Sequence, residues 1–121
     1  MISSARTVLV VDDDPQIPRL VAQMLGGRRV SVLVSPSALE ALRLCELNAV
    51  DLLISDIVMP EMDGNKLAER VLRLHPKTSV LLISGLQRGS ALTRLPRVRF
   101  LRKPFFPSDL VRIIRELLPE V

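Results

Sequence analysis

The sequence has no tryptophan, no tyrosine and only three phenylalanines. An aromatic core is excluded, and so is an aromatic stripe on which unpaired bases could stack. Hydrophobic residues still make up 48% of the 121 positions, so the interior has to be aliphatic. The only cysteine, Cys45, rules out an internal disulfide and agrees with a reducing compartment. No apolar run reaches the ~18 residues of a membrane-crossing helix. The N-terminal MISSARTVLVV lacks the three-part layout of a secretory signal. The expectation is a cytoplasmic protein. Repeats, low-complexity tracts and internal linkers are also lacking, so 1–121 reads as one domain of ordinary size.

Negative charge is in the minority: 17 basic residues face 13 acidic ones, a net charge of +4. A basic balance invites a nucleic-acid reading. The arginines, however, are spread along the chain, with one local cluster of Arg94, Arg97, Arg99 and Arg102 beside Lys103. A solvated or partner-facing surface accounts for them better.

What is present is an alternation of strand and helix. Thr7–Val11, TVLVV, is a short β-branched run that ends in Asp12-Asp13-Asp14. Asp14 is placed to cap a helix with Pro15 in its first position, and Gly26-Gly27 ends that helix. Pro18 strains its first turn, so a start of the regular helix later than Pro15 is also compatible. Val30–Val34 is less apolar and suits a sheet edge. Ser37 and Glu40 form a capping-box pattern, Ala38, Ala41, Leu42 and Cys45 make an apolar stripe, and Asn48 is a stop signal.

Asp51–Ser55 is the third strand, and it delivers Asp56 at its carboxyl end before the turns at Pro60 and Asp63-Gly64. Asn65–Leu74 is a helix ended by His75-Pro76, with His75 expected to face solvent. Ser79–Ile83 leads to Ser84-Gly85, a weak helix is expected over Gln87–Leu95, Val98–Arg102 leads to Lys103-Pro104, and Pro107–Leu118 closes the series. Five alternations predict an α/β fold: a doubly wound, flavodoxin-like parallel sheet in the order 2-1-3-4-5, with five helices, the fourth of them short.

In that order the ends of the first, third, fourth and fifth strands are neighbours. Carboxylates, a hydroxyl and an ammonium then converge on one shallow pocket. A carboxylate can act as a nucleophile toward phosphorus. Adjacent acids repel one another when desolvated, and solvation in a turn or a hard divalent cation relieves that cost. A lysine ammonium offsets phosphoryl oxygens and a serine hydroxyl can donate to one.

The motifs VLVVDDDPQI, DLLISDIVMPEMDG, LLISG and FLRKPF, in this order, resemble the receiver domains of bacterial two-component response regulators. FLRKPF is also similar to receivers fused to sensor histidine kinases. The resemblance implies that Asp56 is the phosphoacceptor in a switch fed by a phosphohistidine donor, either a sensor histidine kinase or a histidine phosphotransfer protein. It implies Mg²⁺ or Mn²⁺ on Asp13, Asp56 and the carbonyl of Val58, with Asp12 assisting through water. Lys103, Ser84 and Gly85 would contact the phosphoryl group. Ser84 and Phe100 would be the switch pair, with Phe100, which has no hydroxyl, acting by packing. Val58 and Leu86 would flank the pocket and hinder a hydrolytic water. A receiver dimer is compatible with the family, direct DNA binding is not expected, and the chain reads as a stand-alone receiver or a piece of a larger regulator rather than an enzyme in its own right.

The chain departs from the family between Ser84 and Lys103, which is about one helical turn short, with Pro96 at the entry to the last strand. Phe106 stands where a capping serine is common, leaving Ser108 to cap or Phe106 as an exposed contact. Two rivals remain. A haloacid-dehalogenase-like phosphatase would use Asp12 and Asp14 with Ser84 and Lys103, but it needs acids after the lysine, where only Asp109, Glu116 and Glu120 follow. A basic nucleic-acid-binding module rests on charge alone.

Overall fold

The structure, a computed structural model, describes residues 5–85 and 90–119. Five strands, β1 (Arg6–Val11), β2 (Val30–Ser35), β3 (Leu52–Asp56), β4 (Ser79–Ser84) and β5 (Val98–Arg102), form one sheet in the order β2-β1-β3-β4-β5. Every pairing is parallel. The expected winding is therefore observed. β2 is half-exposed at one edge, while β4 is buried along its whole length.

Among the described residues four α-helices accompany the sheet: α1 (Gln16–Leu25), α2 (Ala38–Leu47), α3 (Gly64–Leu74) and α4 (Pro107–Leu117). The expected count of five is corrected. Where a helix was expected over Gln87–Leu95, the described part holds only a 3-10 turn, Ala91–Arg94, and residues 86–89, including Leu86, lie outside the described residues. Pro96 lacks the N–H that would prolong this turn beyond Leu95. The Ser90 hydroxyl caps it by accepting from the Leu92 N–H at 3.1 Å.

The strand period sorts the core into two layers. Leu9, Val11, Leu53, Val80 and Leu82 face Ala41, Cys45, Leu67, Ala68 and Val71 of α2 and α3. Val8, Val10, Leu52, Ile54, Leu81 and Ile83 face Val21, Leu25, Leu110, Ile113 and Ile114 of α1 and α4. The aliphatic interior is thus shared between both faces, as a doubly wound sheet requires.

Local signals account for most helix ends. Ser37 accepts from the Glu40 N–H at 3.3 Å, and Asp63 accepts from the Lys66 N–H at 2.9 Å. Asn48 ends α2, its side-chain amide donating to the Leu44 carbonyl at 2.9 Å. Gly27 follows α1 with a φ of 80°, a conformation that costs glycine nothing. Two helix starts settle what the sequence left open. α1 begins at Gln16 rather than Pro15; Asp14 still contributes, accepting from the Gln16 N–H at 3.0 Å. Ser108 does not cap α4: Asp109 reaches back to the Phe106 N–H at 3.0 Å, and the Phe106 ring stays exposed.

His75 also departs from the solvent-facing expectation. It is half-buried, and its Nε2 lies 2.7 Å from the Cys45 carbonyl, tying the end of α3 to α2. Cys45 itself is 1% exposed, and burial pushes its thiol up to about 11. At pH 8 the thiolate is therefore scarce as well as shielded. A disulfide reagent at pH 8 should label the native chain on the order of a hundredfold more slowly than the urea-unfolded chain. Equal rates would mean that α2 does not hold this face of the core.

Candidate functional site

Each parallel strand stops at nearly the same level, so the residues after them share one edge. Asp12 follows β1, Asp56 is the last residue of β3, Ser84 is the last of β4 and Lys103 follows β5. The register places Asp56 opposite Ile83 and Ser84 opposite Arg102. The Lys103 N–H then donates to the Ser84 carbonyl at 2.9 Å, extending the ladder by one step. That bond directs the lysine stem across the top of β4, past Gly85, where an added Cβ would meet the Lys103 Cβ at 3.8 Å. The ammonium reaches Asp56 Oδ2 at 3.3 Å.

Asp56 is bound on both sides. Its Oδ1 accepts from the Val58 N–H at 3.1 Å, while Oδ2 faces Lys103. Its side chain is 13% exposed, open enough to be reached from solvent. Val58 lies in the loop directly after it and is exposed.

Asp12 is the electrostatic anomaly of the site. It is 4% exposed, yet a carboxylate normally avoids such burial unless paired. Oδ1 accepts from the Asp14 N–H at 2.9 Å, whereas Oδ2 is buried with no partner. Burial raises its pKa to about 6; the Asp14 N–H and Lys103 oppose that rise, and Asp56 and Asp13 add to it. Asp13 is exposed beside it. Ser84 is fully buried at the end of β4, and Phe100 is half-buried on the α2/α3 side of the sheet.

The edge thus brings together Asp12, Asp56, Lys103, Gly85 and Ser84. Among the described residues no three acidic, histidine or cysteine side chains are drawn close enough to form a protein-only metal cage. A magnesium-type ion does not need one, since it keeps several waters and takes one or two carboxylates. The unpartnered oxygen of Asp12 and the acids around it are the chemistry such an ion would satisfy.

This arrangement matches known proteins. The family profile of the response regulator receiver domain fits residues 8–115. The chain belongs to the response regulator receiver family. Receiver domains are phosphorylation-dependent switches of two-component systems, signalling domains rather than classical enzymes. The chain is 39% identical over 115 residues to an uncharacterised 14.6 kDa protein from the sodA1 3′ region of Leptolyngbya boryana, covering 90% of this chain and 87% of that one. It is 33% identical over 122 residues to the sensor kinase CckA of Brucella abortus, covering 97% of this chain but 13% of the kinase. Among solved structures, the receiver domain of the hybrid histidine kinase CckA superposes with a TM-score of 0.77 at 31% identity, covering 93% of this chain and 98% of that one. The similarity thus extends to a protein of about this chain's length and to a small part of a much longer sensor kinase. The phosphatase and nucleic-acid readings are not favoured.

One residue of the site was noted in the sequence only as a turn former. Gly64 opens α3, donates its N–H to the Ile57 carbonyl at 2.8 Å, and passes directly beneath Asp56. A Cβ there would lie 2.3 Å from the Asp56 carbonyl oxygen and 2.9 Å from the Ile57 Cα, both backbone atoms that cannot swing aside. The Asp-Gly pair marks a turn, but close backbone approach leaves no separate mark. Gly64→Ala should destabilise the fold by about 3 kcal/mol in urea titration and displace the Asp56 backbone. A loss under about 0.5 kcal/mol would show that the approach is easily relaxed.

Proposed function

We propose that this chain accepts a phosphoryl group on Asp56 from a phosphohistidine of a sensor histidine kinase or a histidine phosphotransfer protein. The observation that carries the reading is the Asp56 carboxylate, gripped by the Val58 N–H and the Lys103 ammonium on a partly open edge. A carboxylate oxygen attacks phosphorus in line with the leaving imidazole. The P–N bond breaks, a P–O bond forms, and the imidazole retains the electron pair and takes up a proton. The product is a mixed anhydride at Asp56.

Lys103 and the acids divide the electrostatic work. The ammonium sits 3.3 Å from Oδ2, a loose contact that can be shared with a phosphoryl oxygen. Asp13, Asp56 and the Val58 carbonyl would hold Mg²⁺ or Mn²⁺, with Asp12 behind them through water. That ion supplies positive charge that lets a phosphoryl dianion approach a carboxylate cluster. Without compensation the like charges would oppose the reaction. Ser84 is the donor nearest in register to the lysine, and Gly85 leaves space beside it. A new dianion at Asp56 would draw on the Ser84 hydroxyl. Phe100, in register with Leu82 on the adjacent strand, would repack in response.

The phosphotransfer is assisted by the chain's own residues, and the chain carries no turnover of a separate substrate in this reading. No helix among the described residues is long and apolar enough to cross a membrane, which agrees with a cytoplasmic receiver. It acts as one domain over 1–121, within a larger regulator or alone.

Acetyl phosphate with Mg²⁺ should add one phosphoryl mass to the intact protein, mapped to Asp56. Chelation of the metal should abolish the addition, and so should Asp56→Asn. Labelling that persists in Asp56→Asn at the original rate would remove Asp56 from the role. Lys103→Ala, by contrast, should keep the fold and its metal affinity while slowing phosphorylation on the order of a hundredfold, read by stopped-flow with a phosphoramidate donor. An unchanged rate would reduce the Lys103–Asp56 contact to a structural ion pair.

A further inference from the structure

The net charge is not distributed evenly. Residues 1–90 carry ten basic and ten acidic side chains, whereas residues 91–121 carry seven basic and three acidic ones. The excess of the whole chain therefore sits on the 3-10 turn, β5 and α4. Part of it is neutralised there. Glu116 pairs with Arg99 and Arg112, and its carboxyl is held below the usual range chiefly by its hydrogen bond from Arg99. Asp109 is shared by Arg112 and the Phe106 N–H. Arg94, Arg102 and Arg115 have no acidic partner among the described residues and are exposed.

This charge lies along an open strand. β5 is the last strand of the sheet and pairs with β4 only. The Val80 N–H donates to the Arg97 carbonyl, and the Lys103 N–H donates to the Ser84 carbonyl. Backbone groups alternate sides along a strand, so residues 97, 99, 101 and 103 turn their N–H and C=O toward β4. Val98, Phe100 and Arg102 turn theirs outward. The Val98 N–H is taken by the Leu95 carbonyl at 3.0 Å. Among the described residues, nothing pairs with the outward C=O of Val98, the N–H and C=O of Phe100 or the N–H of Arg102. Among the described residues, the link before β5 holds one 3-10 turn, and the strand itself is only half-buried.

We propose that the outer edge of β5 receives an extended acidic segment of a partner protein, added to the sheet as a sixth strand. Main-chain bonds to Val98, Phe100 and Arg102 would align it. On the face that carries Phe100 and Arg102, an apolar side chain would lie beside the half-buried ring, and an acidic one beside the Arg102 guanidinium. Two other occupants fit less well. A second copy of this edge would bring arginine against arginine, and like charges suppress self-pairing at edge strands. A nucleic acid would use the charge but leave the row of backbone donors and acceptors unmatched, and no tyrosine or tryptophan is present for stacking. The inference does not depend on Asp56 being the phosphoacceptor, because it rests on the outward backbone groups of β5 and the charge around them.

The test uses the full chain and a fluorescent peptide of about eight residues in which Glu alternates with Val. Its control has the same sequence with alternate backbone nitrogens methylated, which keeps the charge and removes strand pairing. Anisotropy should show the plain peptide binding at least about tenfold tighter than the methylated one. In ¹⁵N spectra the largest shifts should fall on the Phe100 and Arg102 amides. Arg102→Glu and Arg94→Glu, both exposed positions, should each weaken binding at least about fivefold without changing the circular dichroism spectrum. Three results would overturn the proposal: equal affinity for the methylated peptide, which would leave a charge effect alone; tighter binding of a random DNA duplex, which would make the surface a nucleic-acid face; or no peptide binding at low salt.

Discussion

Four parallel strands ending at one level constrain everything at the site. In a parallel ladder the register is set by pairs of buried residues far from the edge, here Leu53 against Val80 and Val80 against Val98. A slip of one residue would turn each strand's apolar set to the wrong layer and carry the terminal polar residue with it. The aliphatic core therefore does more than stabilise the sheet. It fixes the height at which Asp12, Asp56, Ser84 and Lys103 emerge, and the single bond from the Lys103 N–H to the Ser84 carbonyl carries that height onto the lysine. Placing an ammonium 3.3 Å from a carboxylate forty-seven residues earlier in the chain is a consequence of packing on both faces of the sheet.

That placement has an electrostatic cost which the rest of the site is arranged to offset. Three acids follow β1, and the first of them is buried with one oxygen unpaired. Unpaired buried carboxylate destabilises a fold, and it persists where something else is served by it. Asp56 adds to the strain on Asp12 while Lys103 relieves it. One cation of the protein thus faces more negative charge than it can balance. In the proposed reading, a site in that condition would attract a divalent cation and would favour the delivery of a group whose own charge is met by lysine and metal together. Gly64, passing under Asp56 with no side chain, allows α3 to start close to the strand end without pushing the carboxylate away.

Much of this architecture was legible in the sequence because its signals are local. Strand runs, the Ser37 cap and the Gly27 stop each depend on a few adjacent residues, and they appear where their chemistry requires. The chain order of strands then implied which ends would be neighbours. Features that depend on distant partners were not legible. The link from His75 to the Cys45 carbonyl spans thirty residues and leaves no pattern in either segment. The Asp109 cap on Phe106 was hidden by a serine next door that looked like a better candidate. The weak helix before β5 fell short because apolar spacing there, Leu92 with Leu95, is satisfied equally by a 3-10 turn packed on the same core.

The shortened connection also bears on how a change at the edge can travel. Ser84 ends β4 and Phe100 sits on β5, opposite Leu82 one pleat below it. Among the described residues, the connection between the two strands contributes only a 3-10 turn, whose Leu92 is in the core. In the proposed switch, a pull on the Ser84 backbone would act on β5 through the ladder itself, by way of Lys103. Phe100 has no hydroxyl to anchor it, so its position follows the packing around it rather than a hydrogen bond. In the proposed switch the edge strand would be the element that reports the state of the carboxylate pocket, and it is also the strand around which the unneutralised arginines are gathered.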